Sequence, residues 1–225
     1  MSPVFENIRD FLFRKENEVK IFLAIFFIVG LFGFAIPSTR ELFKLLTPFI
    51  LLLNFIVLIL FHSPGFDKKI LLIFFFIFLV SFSIEIAGVN TGIIFGSYTY
   101  GKGLGLKIFR TPLMIGINWI FLVYCTNAVF ERIPVNNILR IIGASLLMVL
   151  YDLILEQAAP LMDMWYFKDG FAPFRNYLSW LMLALIFHTL VKIAGIRITN
   201  KIAPFVFWCQ GAFFLLLIIF TRLAG

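Results

Sequence analysis

The chain has 225 residues, of which 62% are hydrophobic and only 14% are charged. Soluble domains average about 45–50% apolar and about 25% charged residues, so the composition excludes an ordinary soluble domain, a disordered chain and a nucleic-acid-binding module. The net charge of +7 indicates basic residues in loops that face anionic lipid headgroups. Phenylalanine contributes 31 residues, which indicates either biased residue usage or a ring-lined cavity for a conjugated or polyisoprenoid ligand.

Seven apolar runs follow one another along the chain, each long enough to cross a hydrocarbon core of roughly 30 Å. Backbone amides in lipid must find partners within their own segment, so the runs are predicted to be helices. They cover approximately residues 20–37, 45–62, 70–88, 112–130, 138–157, 177–194 and 203–221. The predicted fold is all-α: a polytopic membrane protein with about seven transmembrane helices in one bundle.

The domain organisation follows from these runs. Residues 1–19 are expected to form a polar N-terminal segment, and residues 20–225 a single integral membrane domain. The first run lacks a small-residue cleavage signal and is expected to be retained as a span. Eleven basic residues on the N-terminal side against eight on the other slightly favour a cytoplasmic N-terminus, in a protein of the cytoplasmic (inner) membrane.

Two connections, residues 89–111 and 158–176, are longer than the others. With seven spans, both emerge on the same side of the membrane. Polar residues that they carry are therefore expected to form one site.

Three carboxyl groups lie inside apolar runs, where ionisable side chains are costly and usually functional. Glu85 is near the end of the third run, and Asp152 and Glu156 are near the end of the fifth. The latter two are four residues apart and share a helix face. Two carboxyls this close in a poorly hydrated site do not both ionise easily, so one can keep a proton and act as a general acid. The alternative is neutralisation at the membrane surface by a nearby basic side chain: Arg110, Arg140, Lys168 or Arg175.

The first long connection is rich in polar and glycine residues. Three glycines within nine residues, Gly88, Gly92 and Gly96, are predicted to break the helix after Glu85 and to let backbone approach a ligand. A plain glycine-rich turn is the alternative. The candidate binding side chains here are Asn90, Thr91, Tyr98 and Tyr100.

The second long connection carries Trp165, Asn176 and Trp180 as further binding candidates. An aromatic belt at the membrane surface is the alternative for Trp165, and helix capping is the alternative for Asn176.

Other polar residues within apolar runs are interpreted as structural. Three amides are expected to hydrogen-bond to neighbouring helices: Asn54, Asn118 and Asn127, with Asn118 the best candidate to face a cavity. His62 and His188 are isolated and are expected to be packing residues, so no metal site is predicted.

Two blocks resemble the membrane carotenoid hydratase family: E-x-x-G-V-x-T-G-x-x-F-G-x-Y-x-Y from Glu85 to Tyr100, and Asp152-x-x-Leu155-Glu156-x-x-Ala159 followed by Trp165 and Pro173-x-x-Asn176-Tyr177-x-x-Trp180. The family, often labelled carotenoid biosynthesis protein, includes γ-carotene 1′-hydratases and bisanhydrobacterioruberin hydratases. The resemblance covers roughly residues 70–190. It implies addition of water to the terminal C1–C2 double bond of an acyclic carotenoid end group, of the γ-carotene, lycopene or C50 type, without a cofactor.

Physical reasoning assigns roles within that reaction. Asp152 or Glu156 is predicted to protonate C2, and Glu85 to orient or deprotonate the attacking water. Aromatic faces such as Tyr98, Tyr100 and Trp165 would stabilise the tertiary cation. The expected partners are the carotenoid substrate, membrane lipid and other carotenoid-pathway enzymes, with no nucleic acid. The hypothesis requires Glu85 to lie near Asp152 or Glu156.

Three other functions stay open. A lycopene-type cyclase would form the same cation but capture it with an alkene. A prenyltransferase would need Asp-rich motifs that bind magnesium and diphosphate, for which Asp152 and Glu156 are a poor match. A transporter or lipid-binding scaffold would be expected to show broken helices in two repeats, whereas the broken-helix pattern occurs once.

Overall fold

Seven long helices make up most of the computed structural model, which describes residues 11, 13–63, 65 and 67–224. Each is long and apolar enough to cross a membrane, which confirms the predicted all-α membrane bundle. Their bounds are α1 Glu16–Ala35, α2 Pro37–Leu60, α3 Lys68–Thr91, α4 Leu113–Phe130, α5 Asn137–Ala158, α6 Phe174–Ile193 and α7 Ala203–Ala224. Most of the predicted N-terminal segment lies outside the described residues.

Helix α2 begins eight residues before the predicted start at residue 45. Pro37 occupies its first turn, where a missing backbone N–H costs nothing. The Thr39 hydroxyl donates to the Gly33 carbonyl, and the Arg40 guanidinium donates to the Phe34 carbonyl. These bonds satisfy the end of α1, so polar residues extend α2 beyond its apolar part.

The glycine-rich stretch does not break α3 where the sequence predicted. The helix runs past Gly88 through Thr91 and ends at Gly92, whose φ of 66° is a left-handed cap. This conformation favours glycine. Gly88 instead makes room for the Phe95 ring, which would lie 2.6 Å from a Cβ at that position.

Helix α4 lies in the middle of the bundle and packs against α2, α3, α5, α6 and α7. Apolar residues surround it on all sides, as expected for a helix without a solvent face. It therefore positions the helices that carry the three carboxyls.

The two long connections meet through short strands. Strand β1 (Tyr98–Tyr100) pairs antiparallel with β4 (Trp165–Phe167), with Tyr100 opposite Trp165. A short hairpin joins β2 (Lys107–Ile108) to β3 (Thr111–Pro112) within the first connection. In the second connection, a 3₁₀ turn over Ala159–Met162 follows α5. The β1–β4 pair confirms that both connections lie on one face of the bundle.

Candidate active site

Glu85 is the centre of a buried hydrogen-bond cluster. It lies on α3, is 4% exposed, and accepts bonds on both carboxyl oxygens. Oε2 accepts from the hydroxyls of Tyr98 at 2.7 Å and Tyr100 at 2.8 Å, while Oε1 accepts from Trp119 Nε1 at 3.1 Å. Residues two apart on a strand point to the same side, so β1 directs both tyrosines at Glu85.

The two phenols are fixed as donors. Both tyrosines lie in the connection between α3 and α4. Burial is the main cause, and the charge of Glu85 the second, that raises the pKa of Tyr98 and of Tyr100 above the usual value. They therefore stay protonated. Glu85 is surrounded by neutral donors and serves as an acceptor.

Asp152 and Glu156 form a pair bridged by one amide. Asn176 Nδ2 donates to Asp152 Oδ2 at 3.0 Å and to Glu156 Oε1 at 3.1 Å. Trp165 Nε1 donates to Glu156 Oε2 at 2.8 Å. Asp152 is fully buried, and its Oδ1 has no hydrogen-bond partner among the described residues. Pro173, not Asn176, precedes the first residue of α6, so Asn176 reaches inward instead of capping the helix.

The carboxyls are not neutralised by basic side chains. In the described part of the chain, no lysine or arginine forms an ion pair with any of the three. Arg140 pairs instead with Glu131 at 2.8 Å, and Arg110 contacts the Asn90 side chain. Surface neutralisation, the alternative for Asp152 and Glu156, is not what the structure shows.

A small cavity of about 20 Å³ lies between Glu85 and Glu156. About 10–15 Å³ is enough for one water molecule if two to four polar groups face it. The two carboxyls, the Asn176 amide and the Tyr100 hydroxyl meet that condition. The rest of the wall is apolar or aromatic: Phe95, Tyr98, Ile115, Trp165, Phe167 and Trp180.

The structure brings eight predicted residues together around this cavity and leaves three outside. Those that meet are Glu85, Tyr98, Tyr100, Asp152, Glu156, Trp165, Asn176 and Trp180. Asn90 and Thr91 lie outside because α3 continues through them, where they are exposed and donate to the carbonyls of Ile86 and Ala87. Asn118 is half-buried beside Trp119 and is not part of the cavity wall.

Trp119 is a site residue that the sequence did not reveal. It is 1% exposed, donates to Glu85, and stacks on Trp180 with ring centroids 4.2 Å apart. Tryptophan is enriched at membrane surfaces, so its position deep inside an apolar run was an available signal. No sequence signal identifies its hydrogen-bond partner, Glu85 on α3.

Comparison with known proteins identifies the family of this chain. A family model described as carotenoid biosynthesis protein matches residues 46–224, which extend from α2 through α7. A bisanhydrobacterioruberin hydratase from Haloarcula japonica is 28% identical over 144 residues, covering 56% of this chain and 47% of the relative. The chain thus spans about half the length of that curated relative. No solved structure matches this chain significantly. Since the family match covers most of the chain, this protein belongs to the carotenoid biosynthesis protein family.

Proposed function

We propose that this protein is a carotenoid hydratase that adds water across the terminal C1–C2 double bond of an acyclic carotenoid end group. The observation that carries the proposal is the water-sized cavity between Glu85 and Glu156. Among the described residues, no lysine or arginine forms an ion pair with either carboxyl. Family membership and the hydratase name of the relative from Haloarcula japonica support it.

Glu156 is the proposed proton donor. Glu156 lines the cavity, whereas Asp152 lies one turn earlier in α5 and is not part of the cavity wall. Asn176 holds an oxygen of each carboxyl within hydrogen-bond distance of one amide nitrogen. Two carboxyls held this close share a proton more readily than they both ionise. Asp152 is therefore a positioning residue whose neighbouring carboxyl favours a protonated Glu156, the form that a general acid needs. Asn176 orients the pair by donating to both carboxyls.

Glu85 is the proposed base on the opposite wall. Protonation of C2 by Glu156 leaves a tertiary cation at C1, the water oxygen bonds to C1, and Glu85 takes the proton that the water loses. Transfer of that proton back to Glu156 restores the site. The net reaction adds one water molecule and consumes no oxidant or reductant.

Aromatic rings are suited to the cationic intermediate. Tyr100, Trp165 and Trp180 line the cavity, and a ring face close to a cation contributes about 0.5–2 kcal/mol. The substrate is proposed to enter from the lipid of the cytoplasmic membrane, where other pathway enzymes would release it.

The proposal is tested by carboxyl substitutions in a host that makes lycopene or γ-carotene. Glu85→Gln and Glu156→Gln are expected to lower the yield of hydroxylated carotenoid at least 100-fold, because general acid–base catalysis typically contributes about 10²–10⁴. Asp152→Asn should cause a smaller loss. Glu131→Gln is the matched control, since Glu131 pairs with Arg140 away from the cavity, and it should keep wild-type yield.

Pigment mass distinguishes the competing functions. Hydration adds the mass of one water, whereas a cyclase would leave the mass unchanged, and a transporter would leave the pigments unaltered. Wild-type yield from both glutamine variants would refute the assignment.

A further inference from the structure

An apolar groove of about 400 Å³ opens between α2 and α3. Helix α4 packs against both of these helices, whereas α2 and α3 make few contacts with each other, so α4 forms the floor. Ile120 and Tyr124 in the floor are buried, as is Phe74 on α3, while Leu71 and Phe75 at the edge of α3 are exposed. The groove is lined by ten side chains that are aromatic or aliphatic.

The groove shares a face of α3 with Glu85. Leu71, Phe74 and Phe78 line it, and Phe82 and Glu85 continue the same three- and four-residue spacing toward the cavity. The rings of Phe78 and Phe82 are stacked with centroids 5.8 Å apart. The groove therefore extends along the helix toward the carboxyl cluster.

A close contact between α3 and α4 lies between the groove and the cavity. The ring of Phe78 lies against Gly116, where an added Cβ would be 2.6 Å from Phe78 Cε2. Ile115 on one side of this glycine lines the cavity, and Ile117 on the other side lines the groove.

We propose that this groove binds the isoprenoid chain of the carotenoid, with the reacting end group passing Phe78 to reach Glu85 and Glu156. The proposal rests on the proposed function, and it adds where the rest of the substrate lies. The long axis of the substrate then runs across the membrane beside α3. Phe78 and Gly116 determine which end groups enter the cavity.

Two neighbouring leucines provide a matched test. Leu71 lines the groove and is 56% exposed, whereas Leu72 is 67% exposed and is not part of its lining. Leu71→Trp narrows the groove and should lower lycopene hydration at least fivefold through a higher KM. Leu72→Trp should match the wild type. Both variants should hydrate the short alkene 2-methyl-2-nonene normally, because it cannot reach Leu71, about 21 Å along the helix from Glu85.

A binding measurement separates failure of this proposal from failure of the proposed function. Both variants are purified in detergent from lycopene-producing cells, and the lycopene bound to each is measured. The Leu71→Trp protein should retain at least threefold less lycopene than the Leu72→Trp protein, even if the wild type hydrates nothing. Equal retention by the two variants would show that the groove holds only membrane lipid and would overturn the proposal.

Discussion

Glu85 depends on three neutral donors that the chain supplies from two separate segments, β1 and α4. Tyr98→Phe removes one of these hydrogen bonds and keeps the ring that packs against Phe95 and Phe167. We expect a roughly tenfold loss of hydration rate, because a lost bond to a charged group costs about 1.5–3 kcal/mol. Tyr166→Phe is the control, since the Tyr166 hydroxyl donates to Asp163 outside the cavity. An unchanged rate for Tyr98→Phe would argue against Glu85 as the base.

Two buried asparagines should respond to substitution in opposite directions. Neither side-chain polar atom of Asn54 has a partner among the described residues, contrary to the expectation that it bonds to a neighbouring helix. Asn200 Nδ2 donates to the Leu58 carbonyl and the Tyr124 hydroxyl, and its Oδ1 accepts from the backbone of Ile202 and Ala203.

Asn54→Leu is expected to raise the free energy of unfolding by about 1–3 kcal/mol, because it removes an unpaired buried amide. Asn200→Leu should lower it by about 2–4 kcal/mol, because it leaves several groups unpaired and removes the cap of α7. Thermal unfolding in detergent measures both changes. Destabilisation by Asn54→Leu would mean that its amide has a partner such as an internal water.

The sequence identifies the carboxyls more readily than their partners. Glu85, Asp152 and Glu156 stand out because a charge inside an apolar run has few explanations. Trp119 is marked only by its depth inside an apolar run, and that position does not identify Glu85 as its partner. The role of Asn176 depends on how α6 faces α5, which local sequence does not determine.

The pairing of β1 with β4 holds the site together at the level of secondary structure. Gly101 follows β1, its N–H donates to the Met164 carbonyl, and a Cβ at this position would overlap the Asp163 backbone. Gly101→Ala should separate the strands and move Tyr100 and Trp165 away from Glu85 and Glu156. We expect at least a tenfold loss of hydration with the helical content unchanged.

Gly211→Ala is the matched control for this change, because a Cβ there would make ordinary contact with the Tyr151 ring, at 3.9 Å. Circular dichroism and product yield check both variants. A Gly101→Ala protein with full activity would show that the strand pair does not position the site.

Helices were predictable from the sequence, and the short strands were not. Apolar length locates all seven spans, but the start of α2 depends on polar residues that bond to the end of α1. Strands of three residues carry too little pattern to be recognised. Their pairing joins Tyr100 to Trp165 across 65 positions of the chain, a separation that no local pattern reveals.

At the scale of the whole molecule, the bundle brings its three buried carboxyls together near one end of the helices. The carboxyls come from α3 and α5, the bridging amide from α6, and the tyrosines and Trp165 from the paired connections. Helix α4 supplies the central Trp119. This arrangement gives a water molecule a polar position inside a largely apolar bundle, which is what the proposed hydration of a membrane-dissolved alkene requires.

Oxygen-isotope labelling of the product tests this account most directly. Purified protein with lycopene in detergent, supplied with H₂¹⁸O under nitrogen, should yield a tertiary alcohol that carries one ¹⁸O atom, and Glu85→Gln and Glu156→Gln proteins should yield none. A cyclised product of unchanged mass, or a labelled alcohol formed equally well by the two variants, would contradict it.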